Sequence, residues 1–384
     1  MTRVEDLSPS QIERFQRHLG LSGFGPEAQC ALLDSRVVVV GAGGLGAPIL
    51  QYLGAAGVGH LEIIDDDLVD RSNLHRQVIH GESDIGRPKT SSAADVVHEL
   101  HPEAHVVEHR TRLTRENALE LLRDADVVID GSDNFLTRYI VSDAAEILGK
   151  PVVYGAILRF EGQVSVFWGG RGPTYRDLFP EPPAPGEVPS CAEAGVIGVL
   201  PGVVGTLMAT EAIKLIAGIG ETLLGRVMVY DALAATFREL RVSPDPHRAP
   251  VTSVAPDLVE ETGPTQCDIS SEALPGEAIS VAELRNLLGG DAELTILDVR
   301  EPWEFRLGAI SGAVNIPLGS IGEDPRGVAD RHIREGIPTI VYCKAGVRSR
   351  QAQGLLEEAL GGVSIRSLTG GYDAWGEARP NSGG

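Results

Sequence analysis

The chain of 384 residues carries a formal charge of −21 at pH 7, and 42% of its residues are hydrophobic. That length predicts two domains, each large enough to bury an apolar core. The negative charge disfavours nucleic acid as a partner. The N-terminus lacks the pattern of a signal peptide, and the longest apolar stretch, residues 194–209, is interrupted by Pro201 and is too short for a bilayer. With only four cysteines, the composition suits a reducing compartment, so we expect a cytoplasmic protein without a membrane span.

The first predicted elements are a strand, a glycine turn and a helix. A run of four valines leads into a glycine-rich segment, residues 41–46, and an apolar segment of helical character follows. Backbone N–H groups at such a helix start can bind phosphate. A second strand, residues 61–64, ends at Asp65, where an acid can hold ribose hydroxyls. An NAD site and an ATP site fit these elements equally well.

Charged and polar residues further along the chain favour ATP. Arg76 and Lys89 supply cations of the kind that a triphosphate needs when pyrophosphate leaves, whereas backbone groups mostly hold the pyrophosphate of a dinucleotide. The pattern predicts a third buried strand over residues 127–134, with Asp133 and Asn134 at its C-terminal end, and ligands of open α/β sheets bind at such strand ends. Each residue alone could be a solvated loop residue. Together they predict a nucleotide triphosphate site.

As an ordered set, these motifs resemble the adenylation domain of ubiquitin-activating enzymes, and among those the molybdopterin-synthase adenylyltransferases, which activate sulfur-carrier proteins. The resemblance covers about residues 10–245 and implies a Rossmann-like α/β fold. The segments that carry it are residues 41–46, 65–67, 72–77, 89, 132–134, 154–156, 160–163, 191–196 and 211–214. It also implies ATP and Mg²⁺ as cofactors, bound by Gly43, Gly44, Asp65, Ser72, Asn73, Leu74, His75, Arg76, Lys89, Asp133 and Asn134.

The same resemblance implies individual roles within this set. The two glycines let the backbone approach the nucleotide, and Asp65 holds the ribose. Arg76 and Lys89, together with Asn73, contact the phosphates. Asp133 lies beside the α-phosphate and the magnesium ion.

Arg17 lies in an N-terminal segment, residues 14–19, that resembles a family segment whose second arginine enters the ATP site of the partner subunit. The resemblance therefore implies an arginine finger supplied in trans and a homodimer. From the residues alone, an ordinary exposed helix charge is the simpler interpretation of Arg17.

The second half of the chain is predicted to form a separate domain. Residues 243–275 contain several prolines and scattered acids with little apolar periodicity, which is typical of a linker. The predicted domains are therefore an ATP-binding domain over residues 1–242 and a smaller domain over residues 276–378, with a flexible tail at 379–384. In the smaller domain the pattern predicts a helix at 279–288, strands at 293–300 and 338–343, and a helix at 351–360.

Cys343 is the strongest candidate for covalent chemistry. It ends the second strand of the smaller domain and precedes a loop with Gly346 and Arg348, after which a helix begins. Converging N–H groups and positive charge favour a thiolate and stabilise the terminal sulfur of a persulfide. Without further context, a buried structural cysteine is an equally good interpretation.

The motifs around Cys343 resemble those of a rhodanese sulfurtransferase domain, over about residues 276–378. The segments that carry this resemblance are residues 298–305, 312–317, 342–349 and 368–375. The resemblance implies a smaller α/β rhodanese domain in which Cys343 carries a persulfide and Arg348 belongs to the active loop. The short loop disfavours a phosphatase. Ala309 departs from the pattern, since the family commonly has a histidine there.

Cys191 is the other thiol with a predicted role. It follows a proline-rich stretch, residues 180–185, and so is expected on a mobile crossover loop. In similar proteins the corresponding cysteine helps to transfer the activated carrier, either by attacking it or by resolving an acyl disulfide. A small buried residue at a helix start is the competing interpretation. Cys30 and Cys267 match no motif.

The sequence predicts no structural zinc. Many relatives hold zinc with two Cys-x-x-Cys pairs, whose thiolates form a tetrahedral site. Here residues 174–177 and the region around residues 246–251 stand in their places, and the chain contains no Cys-x-x-Cys. The only metal we expect is Mg²⁺ bound with ATP near Asp133.

These observations predict two coupled activities: ATP-dependent adenylation of a ubiquitin-like carrier that ends in Gly-Gly, and sulfur transfer from Cys343 to give the carrier thiocarboxylate. The carrier could serve molybdenum cofactor, cysteine or related sulfur-metabolite biosynthesis, and the sulfur donor could be thiosulfate or a cysteine-desulfurase persulfide. The alternatives are an adenylyltransferase whose rhodanese domain only docks the carrier, a nonenzymatic or purely regulatory binding protein, and an NAD-dependent oxidoreductase. Nothing after Asp65 favours the oxidoreductase.

Overall fold

The structure is a computed structural model that describes residues 2–182, 195–255, 258, 278–290, 293–334, 336–361 and 364–377. The chain divides into two compact units, Met1–Leu258 and Val259–Gly384. Most of the predicted linker, all of the predicted tail, Cys191 and Cys267 lie outside the described residues.

The first unit is built on an eight-stranded sheet in the order β3-β2-β1-β4-β5-β6-β7-β8, in which β1 to β5 are parallel and β6 to β8 are antiparallel. The strands are β1 (Arg36–Val40), β2 (His60–Ile64), β3 (His105–His109), β4 (Val127–Asp130), β5 (Val152–Leu158), β6 (Glu161–Phe167), β7 (Arg226–Asp231) and β8 (Thr236–Arg241). The helices are α1 (Pro9–Leu19), α2 (Gly25–Asp34), α3 (Gly46–Ala56), α4 (Lys89–Leu100), α5 (Arg115–Leu121), α6 (Phe135–Leu148), α7 (Tyr175–Leu178) and α8 (Leu200–Ala217).

The central strand β1 shows why the sheet forms here. Its four valines are β-branched and lie between two parallel neighbours, β2 and β4, and they are buried on both faces of the sheet. Two apolar cores result, one on each face of the sheet. Since β1, β2 and β4 are adjacent and parallel, their carboxyl ends lie together at one edge of the sheet.

Helix α8 is long and apolar enough to cross a membrane by length and composition. In this fold it packs against α3 and against strands β5 and β6, where Val204 and Met208 are fully buried. Contact with that core accounts for its apolar composition.

The first unit continues past residue 242, where the sequence predicts the domain to end. Arg248 forms ion pairs with α6 and α7, and the Ala255 N–H donates to the buried Asp143 of α6 at 2.8 Å. These polar contacts attach residues 245–255 to the first unit, although the segment has little apolar periodicity.

The second unit has a five-stranded parallel sheet in the order β11-β10-β12-β13-β9. The strands are β9 (Ala278–Ile279), β10 (Thr295–Asp298), β11 (Val314–Asn315), β12 (Thr339–Tyr342) and β13 (Ile365–Leu368). The helices are α9 (Val281–Leu288), α10 (Pro302–Arg306), α11 (Leu318–Glu323), α12 (Pro325–His332), α13 (Val347–Leu360) and α14 (Gly371–Glu377). The predicted α/β class of both domains is confirmed.

Two predicted helices of the second unit differ in detail from the observed ones. Ile279 was expected in a helix, but it pairs with Leu368 in the sheet, and the helix begins at Val281 after the cap Ser280. Helix α13 begins at Val347, four residues before the predicted start, because Gly346 adopts φ +100° and lets the chain turn directly into the helix.

Candidate nucleotide and sulfur-transfer sites

The glycine turn after β1 is held from two sides. The Ala42 N–H donates to Oδ2 of Asp65 at 2.8 Å, and the Ala42 carbonyl lies 3.0 Å from Nε2 of His80. Because a carbonyl oxygen can only accept, Nε2 of His80 is the donor to Ala42. Nδ1 lies 2.8 Å from the Ser92 hydroxyl, and burial lowers the pKa of the ring. At Gly46 a Cβ would collide with the Gly41 carbonyl oxygen, so only glycine permits this tight turn.

A cleft of about 210 Å³ opens above this turn at the carboxyl ends of β1, β2 and β4. It brings together most of the residues predicted to bind nucleotide: Gly43, Gly44, Asp65, Arg76, Lys89, Asp133 and Asn134. The cleft therefore lies at the strand ends where the sequence predicts it.

Lys89 and a row of acids form one wall of the cleft. Lys89 is 5% exposed and its Nζ donates to Oδ2 of Asp67 at 2.7 Å. The carboxylates of Asp65, Asp66 and Asp67 lie within 4.8 Å of one another. Burial raises the pKa of Asp65, and the nearby Lys89 ammonium opposes that rise. The Lys89 ammonium can therefore exchange its bond to Asp67 for a bond to a ligand phosphate.

The polar groups of the turn before Arg76 bond one another and the Arg76 side chain. Residues Arg71–Asn73 form a 3₁₀ helix in which the Asn73 Oδ1 accepts from the Asp70 N–H at 3.0 Å. The Ser72 carbonyl accepts from the Arg76 guanidinium at 3.0 Å. As far as the described residues show, the cleft lining includes Arg76 but leaves out Ser72, Asn73, Leu74 and His75. Their nucleotide contacts stay predictions.

Asp133 and Asn134 follow β4 at the floor of the cleft. Asn134 caps α6, since its Oδ1 accepts from the Thr137 N–H at 2.9 Å. Asp133 is exposed, and no described residue forms a hydrogen bond or ion pair with its carboxylate. An unshared carboxylate beside a nucleotide cleft fits Mg²⁺, which prefers oxygen ligands and usually bridges to substrate phosphates.

The structure adds cleft residues that the sequence analysis missed. Besides the two other acids of the row, these are Gln77, Arg112, Thr137 and Arg138. Thr137 and Arg138 lie in the first turn of α6, directly after a predicted strand end. The side chains of a helix that starts at a ligand site can reach that site, and this rule would have pointed to them.

Arg17 lies on α1, away from the cleft of its own chain. It is exposed, and no described residue pairs with it, whereas Arg14 one turn earlier bonds the Leu100 carbonyl. Arg17 is thus an exposed cation of the first unit, unpaired as far as the described residues show, and its role in trans stays a prediction.

The region where relatives hold zinc contains a network of ion pairs. Arg176 on α7 forms a two-pronged pair with Asp143, at 2.7 and 2.9 Å. Arg248 pairs with Glu146 at 3.0 and 3.1 Å and with Asp177 at 3.2 Å. Arg176, Asp177 and Arg248 border a cavity of about 460 Å³. The carboxylates are already engaged by guanidinium groups, and the described residues of this region include no cysteine, so these residues do not fit a tetrahedral zinc site.

In the second unit, Cys343 follows β12 and is 1% exposed. Its Sγ accepts the Gly346 N–H at 3.1 Å, across the short loop that leads into α13. A backbone N–H aimed at sulfur stabilises negative charge on it, as a thiolate or a persulfide requires.

The active loop is fixed by α14. The Tyr372 N–H donates to the Cys343 carbonyl at 2.8 Å, and the Asp373 N–H donates to the Lys344 carbonyl at 3.1 Å. At Gly371, which has φ +60°, a Cβ would collide with both carbonyl oxygens. The motif at residues 368–375 therefore shapes the loop that holds the thiol.

Arg348 is held in a two-pronged pair with Glu304 of α10, at 2.7 and 2.8 Å. Burial alone would raise the pKa of Glu304, but the Arg348 hydrogen bonds hold that pKa below its usual value. Glu304 thus fixes the guanidinium of the predicted catalytic Arg348. Cys30, by contrast, is packed in α2, and burial raises its pKa, as befits an inert thiol.

Sequence comparisons give the same two regions. The profile described as the ThiF family matches residues 15–251, and the one described as the rhodanese-like domain matches residues 280–378. A probable adenylyltransferase/sulfurtransferase, MoeZ, of Mycobacterium tuberculosis is 46% identical over 96% of this chain and 94% of its own length. A sulfur carrier protein adenylyltransferase of Thermus thermophilus is 54% identical over 64% of this chain and 92% of its own length. The adenylyltransferase and sulfurtransferase MOCS3-1 of Zea mays is 40% identical over 96% of this chain and 82% of its own length.

Among solved structures, Escherichia coli MccB resembles the fold. Its complex with MccA-N7isoASN has a TM-score of 0.57 at 20% identity and covers 62% of this chain and 74% of that one. The complex with ATP has a TM-score of 0.56 over the same shares. At this identity the likeness concerns the fold alone. The profile match over most of the chain and the near full-length relatives confirm the resemblance found in the sequence. The protein belongs to the ThiF family and carries a C-terminal rhodanese-like domain.

Proposed function

We propose that this protein adenylates the C-terminal glycine of a ubiquitin-like sulfur-carrier protein and then converts the acyl-adenylate to a thiocarboxylate. The observation that carries the proposal is the coexistence, in one chain, of a cleft lined by a glycine turn, Arg76 and Lys89 and of a loop with an N–H aimed at a thiol. Relatives with both domains over nearly their whole length are named adenylyltransferase and sulfurtransferase, which supports it.

In the adenylation half-reaction, a carboxylate oxygen of the carrier attacks the α-phosphorus of ATP, and the bond to the β-phosphate oxygen breaks. The backbone at Gly43 and Gly44 approaches the phosphates, and Asp65 receives the ribose. Arg76 and Lys89 neutralise the charge of the departing pyrophosphate. Asp133 would hold Mg²⁺, which supplies charge neutralisation at the phosphates when it is bound.

The dimer is part of this proposal. Arg17 is exposed and unpaired among the described residues, and it does not line its own cleft. In a homodimer it would add a cation at the α-phosphate of the partner subunit. A guanidinium that stabilises transition-state charge contributes most where the site is closed to water.

In the sulfur-transfer half-reaction, the Cys343 thiolate first attacks a sulfane sulfur and forms a persulfide. The S–S bond of the donor breaks, and sulfite leaves from thiosulfate or a thiolate leaves from a protein persulfide. The terminal sulfur then attacks the carbonyl carbon of the adenylate, AMP leaves, and an acyl disulfide joins carrier and enzyme. A thiolate, proposed to be Cys191, attacks Sγ of Cys343, and the carrier departs as its thiocarboxylate. The resulting Cys191–Cys343 disulfide is returned to thiols by an external dithiol reductant.

A reducing cytoplasm suits this cycle. The cysteines that the structure describes, Cys30 and Cys343, are both free thiols. Joining the two domains in one chain raises the effective concentration of persulfide near the adenylate when the linker spans the distance.

Intact-mass spectrometry tests the proposal. Candidate Gly-Gly carriers are incubated with the protein, Mg-ATP and thiosulfate, and the expected product has gained the mass difference between sulfur and oxygen. The gain should vanish with Cys343→Ser and persist with Cys267→Ser, which removes a thiol that belongs to no motif. ATP–pyrophosphate exchange without any mass gain would point instead to an adenylyltransferase whose rhodanese domain docks the carrier. No exchange with any carrier would refute the proposal.

A further inference from the structure

Arg138 is a buried guanidinium with few partners in the nucleotide cleft. The residue is 9% exposed and lines the cleft from the first turn of α6. Its Nε has no hydrogen-bond partner among the described residues, and its Nη2 makes only a 3.4 Å bond to the Ser132 carbonyl. The guanidinium lies 5.2 Å from the centre of the Phe135 ring and 5.8 Å from that of Tyr154.

Other arginines of the first unit bond a carboxylate, whereas Arg138 bonds none that the structure describes. Arg176 and Arg248, also largely buried, each form two-pronged bonds to a carboxylate. No such carboxylate serves Arg138 within the described residues. The nearby Asp130 accepts the N–H and the hydroxyl of Ser132, at 3.0 and 2.6 Å. Asp130 attracts the Arg138 guanidinium electrostatically, but among the described residues no carboxylate bonds its buried Nε, which leaves that donor available to a ligand anion.

The sheet order shows from which side that anion arrives. Along the strand ends, the order is β2 with Asp65, then β1 with the glycine turn, then β4 with Asp133, then β5 with Tyr154. The ribose and the Lys89 wall thus belong to the β2 side. Arg138, whose guanidinium lies over the Tyr154 ring, is on the opposite side of the glycine turn.

Two apolar side chains, Ile157 of β5 and Val196, line the cleft together with Arg138 and the polar residues that follow β4. A buried guanidinium in this lining suits a ligand with a terminal carboxylate, since Arg binds carboxylates through two parallel N–H···O bonds.

Resting on the function proposed above, we propose that Arg138 binds the C-terminal carboxylate of the carrier and aims one of its oxygens at the α-phosphorus. Attack of a carboxylate on a phosphate brings two anions together, and a buried cation between them reduces the repulsion. Because the bound carboxylate is held in place, it also attacks the α-phosphorus from a fixed orientation. Arg138 therefore acts on the carrier, while Arg76 and Lys89 act on the nucleotide.

The test compares the carrier in its natural acid form with the same carrier carrying a C-terminal amide. The probe is the carrier identified by the mass experiment. Wild-type protein with a non-hydrolysable ATP analogue should bind the acid form at least about 10-fold more tightly than the amide, the range of a charge-assisted bidentate contact. Arg138→Gln should abolish this preference and lower kcat/KM for the carrier by roughly 10- to 100-fold. Arg138→Lys should restore part of it.

Two controls separate carrier binding by Arg138 from nucleotide binding and from the general effect of removing a guanidinium. The affinity for the ATP analogue alone should be unchanged in Arg138→Gln, and a matched loss in that affinity would assign Arg138 to the nucleotide instead. Arg226→Gln, which removes a guanidinium paired with Glu239 on the antiparallel strands, should behave as wild type. If wild-type protein adenylates the carrier but Arg138→Gln keeps the acid preference, the role of Arg138 is refuted while the proposed function stands. If wild-type protein adenylates no carrier, the proposed function itself fails.

Discussion

The ion-pair network at α7 should stabilise the first unit without metal, and Arg248→Met tests this. Arg248 is 21% exposed at its side chain, whereas its partners Glu146 and Asp177 are 9% and 1% exposed. Removal of the guanidinium leaves two nearly buried carboxylates without their cation. Breaking a buried pair costs about 3–5 kcal/mol, and the partial exposure of Arg248 places the expected loss near the lower limit, at about 3 kcal/mol.

Thermal unfolding of the full chain, followed by circular dichroism, measures this loss. For a unit of this size, about 3 kcal/mol corresponds to a decrease in Tm of roughly 6–12 °C. The control is Arg226→Met, whose partner Glu239 is 46% exposed, and it should lower stability by at most about 1 kcal/mol. Addition of a chelator such as EDTA should leave the Tm of wild-type protein unchanged. A Tm that falls with chelator, or an Arg248→Met variant as stable as wild type, would refute the reasoning.

The same network predicts the acid limit of stability. Burial alone would raise the pKa of Asp177, but hydrogen bonds from Thr174, Asp245 and Arg248 hold that pKa below its usual value. Because the folded pKa is lower than the unfolded one, the contribution of Asp177 is fully present above about pH 4 and is lost as pH falls through the folded pKa. Urea unfolding between pH 3 and pH 7 should show this loss, and Asp177→Asn should flatten it. An unchanged profile in that variant would exclude Asp177 as its source.

Three further predictions concern the two active regions. Gly371→Ala should slow thiosulfate sulfurtransfer at least about 10-fold, because the added Cβ would collide with the loop carbonyls at a residue with positive φ. Gly376→Ala is the control and should not slow the reaction, because the added Cβ would meet open space. Equal rates for the two variants would contradict the loop geometry. Glu304→Gln should slow the same reaction about 10-fold by loosening Arg348, and normal turnover would show that the pair is dispensable. The lowered pKa of His80 predicts that its contribution to stability is present above about pH 6.5 and is lost as pH falls toward the folded pKa. His80→Gln should therefore reduce the pH dependence of the free energy of unfolding measured in urea. An unchanged pH dependence would show that another group causes it.

The sequence predicted the parallel strands well, for physical reasons that are local. A valine run such as that of β1 and the glycine turn after it are decided within ten residues. Asp65 directly follows β2, whereas β4 ends at Asp130, before the predicted strand end at Asn134. The Cys343 loop is also local, because strand, thiol, glycine and helix start are consecutive.

What the sequence could not show depends on residues far apart in the chain. The Arg176–Asp143 pair joins positions 33 apart, and Arg248–Glu146 joins positions 102 apart, so the end of the first unit could not be placed from composition. Likewise, Arg138 has the sequence context of an ordinary helix residue. Only the fold shows that its guanidinium is buried in the cleft with an Nε that no described residue bonds.

The most direct test of the central claim is ATP–pyrophosphate exchange measured with the identified carrier for wild-type protein, Asp133→Asn and Cys343→Ser. We expect exchange that depends on the carrier in wild type and in Cys343→Ser, and almost none in Asp133→Asn, because adenylation needs the cleft and precedes sulfur transfer. Exchange without carrier, undiminished exchange in Asp133→Asn, or its loss in Cys343→Ser would contradict two successive reactions at separate sites.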